Sequence, residues 1–365
     1  MGSKLVIGID EAGYGPSIGP FVVVATVWRA PSELSVEDLE ERLQPEFQAR
    51  PLVAIRTGAT RAGSHRAANP AHIPLGDSKK IYAGKYAEEG LQLGARFLLE
   101  TVSLANKSES HDSRQADCDE NPDKENASWG DGLYPSDWLR IKSVPWLREL
   151  DLRLQTSPPH CESPINVYPE LFQLGISKLS SLGIELIGAS GRLIDEIEWN
   201  RLIEQYQNKS LVLSELSLGL ARDVVSAHAI TNEPIEIYCD KHGGRNRYQA
   251  HLMKAFDNEW FEALAETSQL SRYSAKWEGH PLMIQFRVEG DSIIPSAAAS
   301  ILAKWTREKS METLNAYWAG KSETHGYPAP KPTAGYYVDA VRFAKDIESL
   351  ATKHGPSKSA WWRIK

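Results

Sequence analysis

An α/β fold is predicted by three features of the sequence: short apolar runs alternate with stretches of helical period, acidic residues stand where several of those runs stop, and neither a cysteine framework nor a membrane span competes with that reading. Residues 5–9 (LVIGI) form the first apolar run; Asp10 and Glu11 end it, and a loop rich in glycine and proline follows. Residues 21–28 (FVVVATVW) read as a second strand paired with the first. A helix is expected over 85–104. Helices over 169–182 and 211–230 alternate with strands over 184–189 and 234–239, and a further strand covers 282–289. In 296–318, Ala298, Ile301, Leu302 and Trp305 recur at i, i+3, i+4, i+7, the stripe of an amphipathic helix. The PAPKP run at 328–332 and Gly335 break the chain before a last helix, and no internal repeat occurs.

Two stretches interrupt this alternation. Residues 50–74, which have no clear period, and the Ser/Asn/Asp-rich residues 106–132 read as insertions. The second of these is expected to be disordered, whereas 135–164, with Trp138 and Trp146 among prolines, is expected to be an ordered excursion packed on the body. The chain of 365 residues is long enough for a sizeable core. Cys118, Cys161 and Cys239 are far apart and form no C-x-x-C pair, which fits a reducing compartment and argues against a zinc site. With no signal-type apolar region and no run of spanning length, a soluble cytoplasmic protein without membrane contact is expected. The formal charge of −7 is uneven: residues 106–132 carry −5, and residues 301–365 carry +5, a basic surface suited to phosphate.

Adjacent carboxylates such as Asp10 and Glu11 repel and are costly to bury, so they need bulk water or a cation that offsets both charges. Gly13, Gly15 and Gly19 let a ligand approach the main chain. Asp240 follows the strand IEIYC, and Asp291 follows the run ending Val288-Glu289-Gly290. Taken singly, each of these acids reads as a turn or helix cap. Together they read as an oxygen-ligand cluster for Mg²⁺ or Mn²⁺, a site suited to phosphodiester hydrolysis. The segment 241–247 (KHGGRNR) reads either as a phosphate contact or as a solvated loop.

These residues also carry a family resemblance. Gly8-Ile9-Asp10-Glu11-Ala12-Gly13, with Gly15-Pro16 and Gly19-Pro20, resembles the opening motif of ribonuclease HII, the type 2 ribonuclease H family. Asp77-Ser78-Lys79-Lys80 is similar to the family's D-S-K segment, and Ile194-Asp195 with Asn200 to its I-D-x-x-N helix start. Asp240 matches the third acid. Asp291, with residues 297–304 (AAASILAK) and Arg307, resembles the fourth acid and its helix, while Gly335-Tyr336 and Gly355-Pro356 resemble C-terminal elements. Three departures stand out: Gly13-Tyr14-Gly15 replaces G-R-G and so lacks one basic side chain, the interval from Asp291 to the alanine run is about one residue short, and Tyr337 stands where another glycine is common.

The resemblance implies a ribonuclease H-like mixed sheet flanked by helices, with a helical C-terminal extension. Residues 1–320 would form the catalytic domain, interrupted near 30–75 and 102–166, and 321–365 a helical substrate-binding segment. It implies an endonuclease that cuts RNA in RNA/DNA hybrids, or at ribonucleotides within duplex DNA, leaving 3′-hydroxyl and 5′-phosphate ends. Asp10, Glu11, Asp240 and Asp291 would hold two Mg²⁺ or Mn²⁺ ions. Gly13, Tyr14 and Gly15 would meet the ribose 2′-hydroxyl, Lys79 and Lys80 a backbone phosphate, and Tyr336 a neighbouring sugar, while Lys304 would brace its helix or a carboxylate. A monomer is expected. A related nuclease acting on another DNA structure, and a catalytically silent hybrid-binding protein, remain alternatives.

Overall fold

The computed structural model describes residues 2–52, 71–83, 86–112, 144–150 and 168–364, apart from the side chains of 106–112, 148, 149 and 291. In chain order its elements are β1 (Ser3–Ala12), β2 (Phe21–Pro31), α1 (Leu39–Arg42), β3 (Phe47–Gln48), β4 (Ile73–Pro74), α2 (Ser78–Ile81), α3 (Ala87–Asp112), a 3-10 turn (Pro145–Glu149), α4 (Pro169–Ser181), β5 (Glu185–Ile194), α5 (Glu196–Tyr206), α6 (Lys209–His228) and β6 (Ile235–Asp240). There follow α7 (Gln249–Ala255), β7 (Glu262–Glu266), β8 (Leu270–Trp277), β9 (His280–Arg287), a 3-10 turn (Gly290–Ser292), α8 (Ile294–His325), α9 (Tyr337–His354) and a 3-10 turn (Lys358–Ala360).

Among the described residues the main sheet has seven strands in the order β5-β2-β1-β6-β9-β8-β7. β1 runs parallel to β6 and β6 to β9, while β2 is antiparallel to both β1 and β5. This is the ribonuclease H-like mixed sheet, covered by helices on both faces and followed by the C-terminal helix α9. β1 is central and therefore apolar on both sides: Val6 faces one core, and Leu5, Ile7 and Ile9 face the other.

α8 is rooted on the sheet by polar bonds and by one missing side chain. Thr26 donates to the Pro295 carbonyl at 2.7 Å, and Ser296 to the Tyr238 carbonyl at 3.0 Å. A Cβ on Gly8 would stand 1.9 Å from the Pro295 carbonyl carbon, so only glycine lets the helix start cross β1 this closely. That crossing carries Ser300, Lys304 and Arg307 over the end of β1.

Several expected bounds shift. β2 extends to Pro31 and β5 to Ile194, because each keeps pairing past the apolar run that revealed it. α3 continues to Asp112, so the first seven residues of the stretch read as disordered are helical in backbone; 113–132 lie outside the described residues. In the 30–75 insertion, β3 pairs with β4 and buries Phe47 and Ile73, while 53–70 lie outside the description. The 135–164 excursion is described only over 144–150, where Trp146 and Leu147 are buried in the core; Trp138 lies outside. α7, β7 and β8 had no counterpart in the sequence reading, and the 320/321 division falls inside α8.

Candidate active site

The site opens where two parallel strands part. β1 and β6 remain in register through Ile9 opposite Cys239, which brings Asp10 and Asp240 to corresponding positions one residue further on. Asp10, Glu11 and Ala12 still pair with β2, so both predicted acids of β1 lie inside the strand rather than beyond it. Strand ends that diverge in this way form the usual crevice of an α/β sheet.

Asp240 is fixed by its neighbours: its Oδ1 accepts the Lys241 N–H at 2.9 Å and the Gly290 N–H at 3.3 Å. A Cβ on Gly290 would lie 2.9 Å from the Asp240 Cα, so glycine allows the turn carrying Asp291 to press against the third acid. The Asp291 backbone lies in that turn, and its side chain is outside the description. Burial, followed by the charges of Asp10 and Asp240, pushes the Glu11 carboxyl well above its usual range. Burial and the same three carboxylates also raise the Cys239 thiol. Burial and mutual repulsion thus both disfavour the ionised form of Glu11 in this cluster.

Asp10, Glu11 and Asp240 line a cleft of about 320 Å³ together with Gly13, Lys79, Lys304, Arg307 and Tyr336. Lys79 reaches it because α2 is tied down at both levels: Asp77 caps the helix by accepting from the Lys79 N–H at 2.9 Å, and Ser78 Oγ shares a buried 2.9 Å hydrogen bond with Ser300 Oγ of α8. Lys304 places its ammonium 4.0 Å from the centre of the Tyr82 ring.

Three expected substrate-binding residues stand apart from the cleft lining. Lys80 points away and pairs with Asp77 at 3.6 Å, and Gly15 is exposed. The Tyr14 ring packs toward Phe21, 6.3 Å between centroids, and its hydroxyl approaches the segment after Asp240.

Two arginines under the glycine loop escaped the sequence reading of the site. Arg307, which was noted only as part of a motif, is buried; it donates to the Ala334 carbonyl at 2.8 Å and lies 5.6 Å from the Tyr336 ring. Arg363 donates to the carbonyls of Gly13 at 2.6 Å, Gly19 at 3.3 Å and Tyr14 at 3.4 Å, and stacks 3.8 Å from the Trp199 ring. From the other side, Glu196 accepts the Gly19 N–H at 2.9 Å. Burial lowers Arg363 to about 9 and raises Glu196 to about 7, outweighing their mutual attraction in each case. A lone arginine near the C-terminal end of the chain offers no periodicity by which to find it.

Among the described residues no three His, Cys, Asp or Glu side chains come together as a metal-holding group; the Asp291 side chain is not among them. No described helix is long and apolar enough to cross a membrane.

No family model matches the chain, and no curated protein matches it. Among solved structures, it is similar to a mutant form of Bst-RNase HIII at 14% identity and a TM-score of 0.34, over 97% of this chain and 64% of that one. It is similar to the ribonuclease H2 of Pyrococcus horikoshii OT3 at 15% identity and a TM-score of 0.38, over 98% of this chain and 92% of that one. The RNase HII of Archaeoglobus fulgidus, solved as a PCNA complex, gives 14% identity and a TM-score of 0.38, over 99% and 94% respectively. The assignment of the site below rests on its own geometry.

Proposed function

We propose that this chain is a divalent-metal-dependent endonuclease of the type 2 ribonuclease H family, acting on RNA/DNA hybrids or on ribonucleotides embedded in duplex DNA. The observation that supports this most is the meeting of Asp10 and Asp240 on adjacent parallel strands, with Glu11 beside them, in a cleft that also receives Lys79.

The donor set fits hard cations. All of its ligands are carboxylate oxygens, and Glu11, whose carboxyl is raised first by burial and then by the charges of Asp10 and Asp240, stands where a cation would offset both. Asp10, Glu11, Asp240 and Asp291 would hold two Mg²⁺ or Mn²⁺ ions. When bound, such ions supply activation of the attacking water and stabilisation of the leaving 3′ oxygen, giving 3′-hydroxyl and 5′-phosphate products. Lys79 would hold a backbone phosphate in place. The main chain around Gly13, steadied by Arg363, would read the ribose 2′-hydroxyl, and the exposed Tyr336 ring would pack on a sugar. The basic C-terminal part would position the duplex without reading its sequence.

The test is the full chain with Mg²⁺ or Mn²⁺ on three end-labelled duplexes: all-DNA, DNA with one ribonucleotide, and a continuous hybrid. Cutting confined to ribonucleotide-containing duplexes supports the proposal. Equal cutting of all-DNA, or no cutting of any, overturns it.

A further inference from the structure

The segment after Asp240 has three basic side chains, and the fold gives each a different task. Lys241 is a brace: its ammonium donates to Asn246 Oδ1 at 2.8 Å and to the Thr267 carbonyl at 2.6 Å, closing the loop onto β8's neighbouring turn. Arg247 is exposed and pairs with Glu266 at 3.6 Å. Arg245 has no carboxylate partner among the described residues. Its Nη1 donates to Ser214 Oγ at 2.8 Å and its Nη2 to Ser210 Oγ at 3.0 Å.

Those two hydroxyls hold the guanidinium in one orientation. Ser214 is buried and shares a 3.0 Å hydrogen bond with Nδ1 of the buried His242, and Ser210 Oγ donates to the His242 carbonyl at 3.1 Å. The Tyr248 ring lies 5.8 Å from the guanidinium carbon. A partly buried cation is thus pinned by neutral groups alone, with N–H groups left over. The remaining N–H groups face water at this partly exposed position and are free to turn to an anion.

Tyr14 connects this arginine to the cleft. Gly13, its neighbour, lines the cleft, and the phenol lies within electrostatic reach of both Glu11 and Arg245. The Tyr14 hydroxyl and Ser210 Oγ each lie 3.9 Å from the point where a Cβ on Gly243 would stand, so the phenol and the serine that holds the guanidinium both border the space over Gly243. Gly243 itself has φ +57°, which keeps that space clear of a side chain.

We infer that Arg245, with Tyr14 between it and the carboxylate cleft, is a seat for a backbone phosphate of the bound nucleic acid. The planar fork of arginine suits a phosphodiester, and a contact of this kind positions the strand without reading bases. The chain would then supply from the segment after Asp240 the positive contact that Tyr14 does not make in the glycine loop. The inference rests on the nuclease reading.

The experiment measures binding of a labelled RNA/DNA duplex by anisotropy across a salt series, with Ca²⁺ replacing Mg²⁺ and a denaturing gel confirming that the strands stay intact. Arg245→Gln should lower the slope of log affinity against log salt by about 0.9, so that its deficit relative to wild type shrinks about threefold between roughly 50 and 200 mM salt. Arg245→Lys, which keeps the charge and loses the fork, should weaken binding with the wild-type slope, and Tyr14→Phe should do the same. An unchanged slope in Arg245→Gln, or a reduced slope in a folded Arg245→Lys, overturns the seat while leaving the nuclease reading intact. Failure of the wild-type protein to bind any duplex overturns both.

Discussion

Arg363 Nη1 donates to the carbonyl of Gly13 at 2.6 Å, joining the C-terminal end of the described chain to the loop that follows the two strand acids. Asn200 helps to hold that end in place, donating from Nδ2 to the Ser359 and Trp362 carbonyls at 3.0 and 2.9 Å and accepting the Ile364 N–H at 2.8 Å. The glycine loop is thus shaped from beneath by residues remote in sequence, and its geometry depends on how the C-terminal segment docks.

Arg363→Ala should therefore damage both stability and the site. It leaves the Gly13, Tyr14 and Gly19 carbonyls short of a donor, at about 1–3 kcal/mol for a buried group left unsatisfied. Urea denaturation should show a loss of about 2–4 kcal/mol. Arg363→Lys should recover little, because a single ammonium cannot reproduce the fork or the stacking on Trp199.

Glu196 should make stability fall as pH rises from about 4.5 to about 7. Burial lifts its carboxyl from 4.5 to about 7 in the folded chain. Between those values the unfolded chain has released the proton and the folded chain has kept it, so the penalty grows from pH 4.5 upward and is complete above 7. It amounts to about 3 kcal/mol. Glu196→Gln keeps an acceptor for the Gly19 N–H and should remove that decline; chemical denaturation of both proteins at several pH values reads the difference.

Gly8→Ala is expected to disrupt the molecule out of proportion to one methyl group. The added carbon would meet the backbone at Pro295 at 1.9 Å, where no flexible side chain can yield, and the start of α8 would have to lift from β1. A loss of about 3 kcal/mol or more in thermal or urea unfolding is expected.

Much of the candidate site was legible because strand-end acids interrupt apolar runs, and apolar runs are what burial on both faces of a central strand demands. Asp10, Glu11 and Asp240 could be found that way, as could α8 from its stripe around Ile301 and Trp305. Asp77 and Ser78 were visible as a motif, but their tasks, capping α2 and binding Ser300, appear only once α8 lies across the sheet. β7 escaped because it is a largely exposed outer strand whose residues, EALAE, lack an apolar alternation. Arg363 escaped for another reason: it owes its task to contacts made across the fold, which no local pattern encodes, whereas the segment that carries Arg245 was legible either as a phosphate contact or as a solvated loop.

The most direct test of the central claim compares the wild-type protein with Asp240→Asn on a continuous RNA/DNA hybrid with Mg²⁺ or Mn²⁺, analysing the ends produced. The account predicts metal-dependent cutting by the wild type that leaves 3′-hydroxyl and 5′-phosphate ends, and a loss of at least about a hundredfold in the folded variant, since the lost carboxylate is one of four assigned to the ions. Cutting by Asp240→Asn at the wild-type rate, or by the wild type in the presence of a chelator, would contradict it.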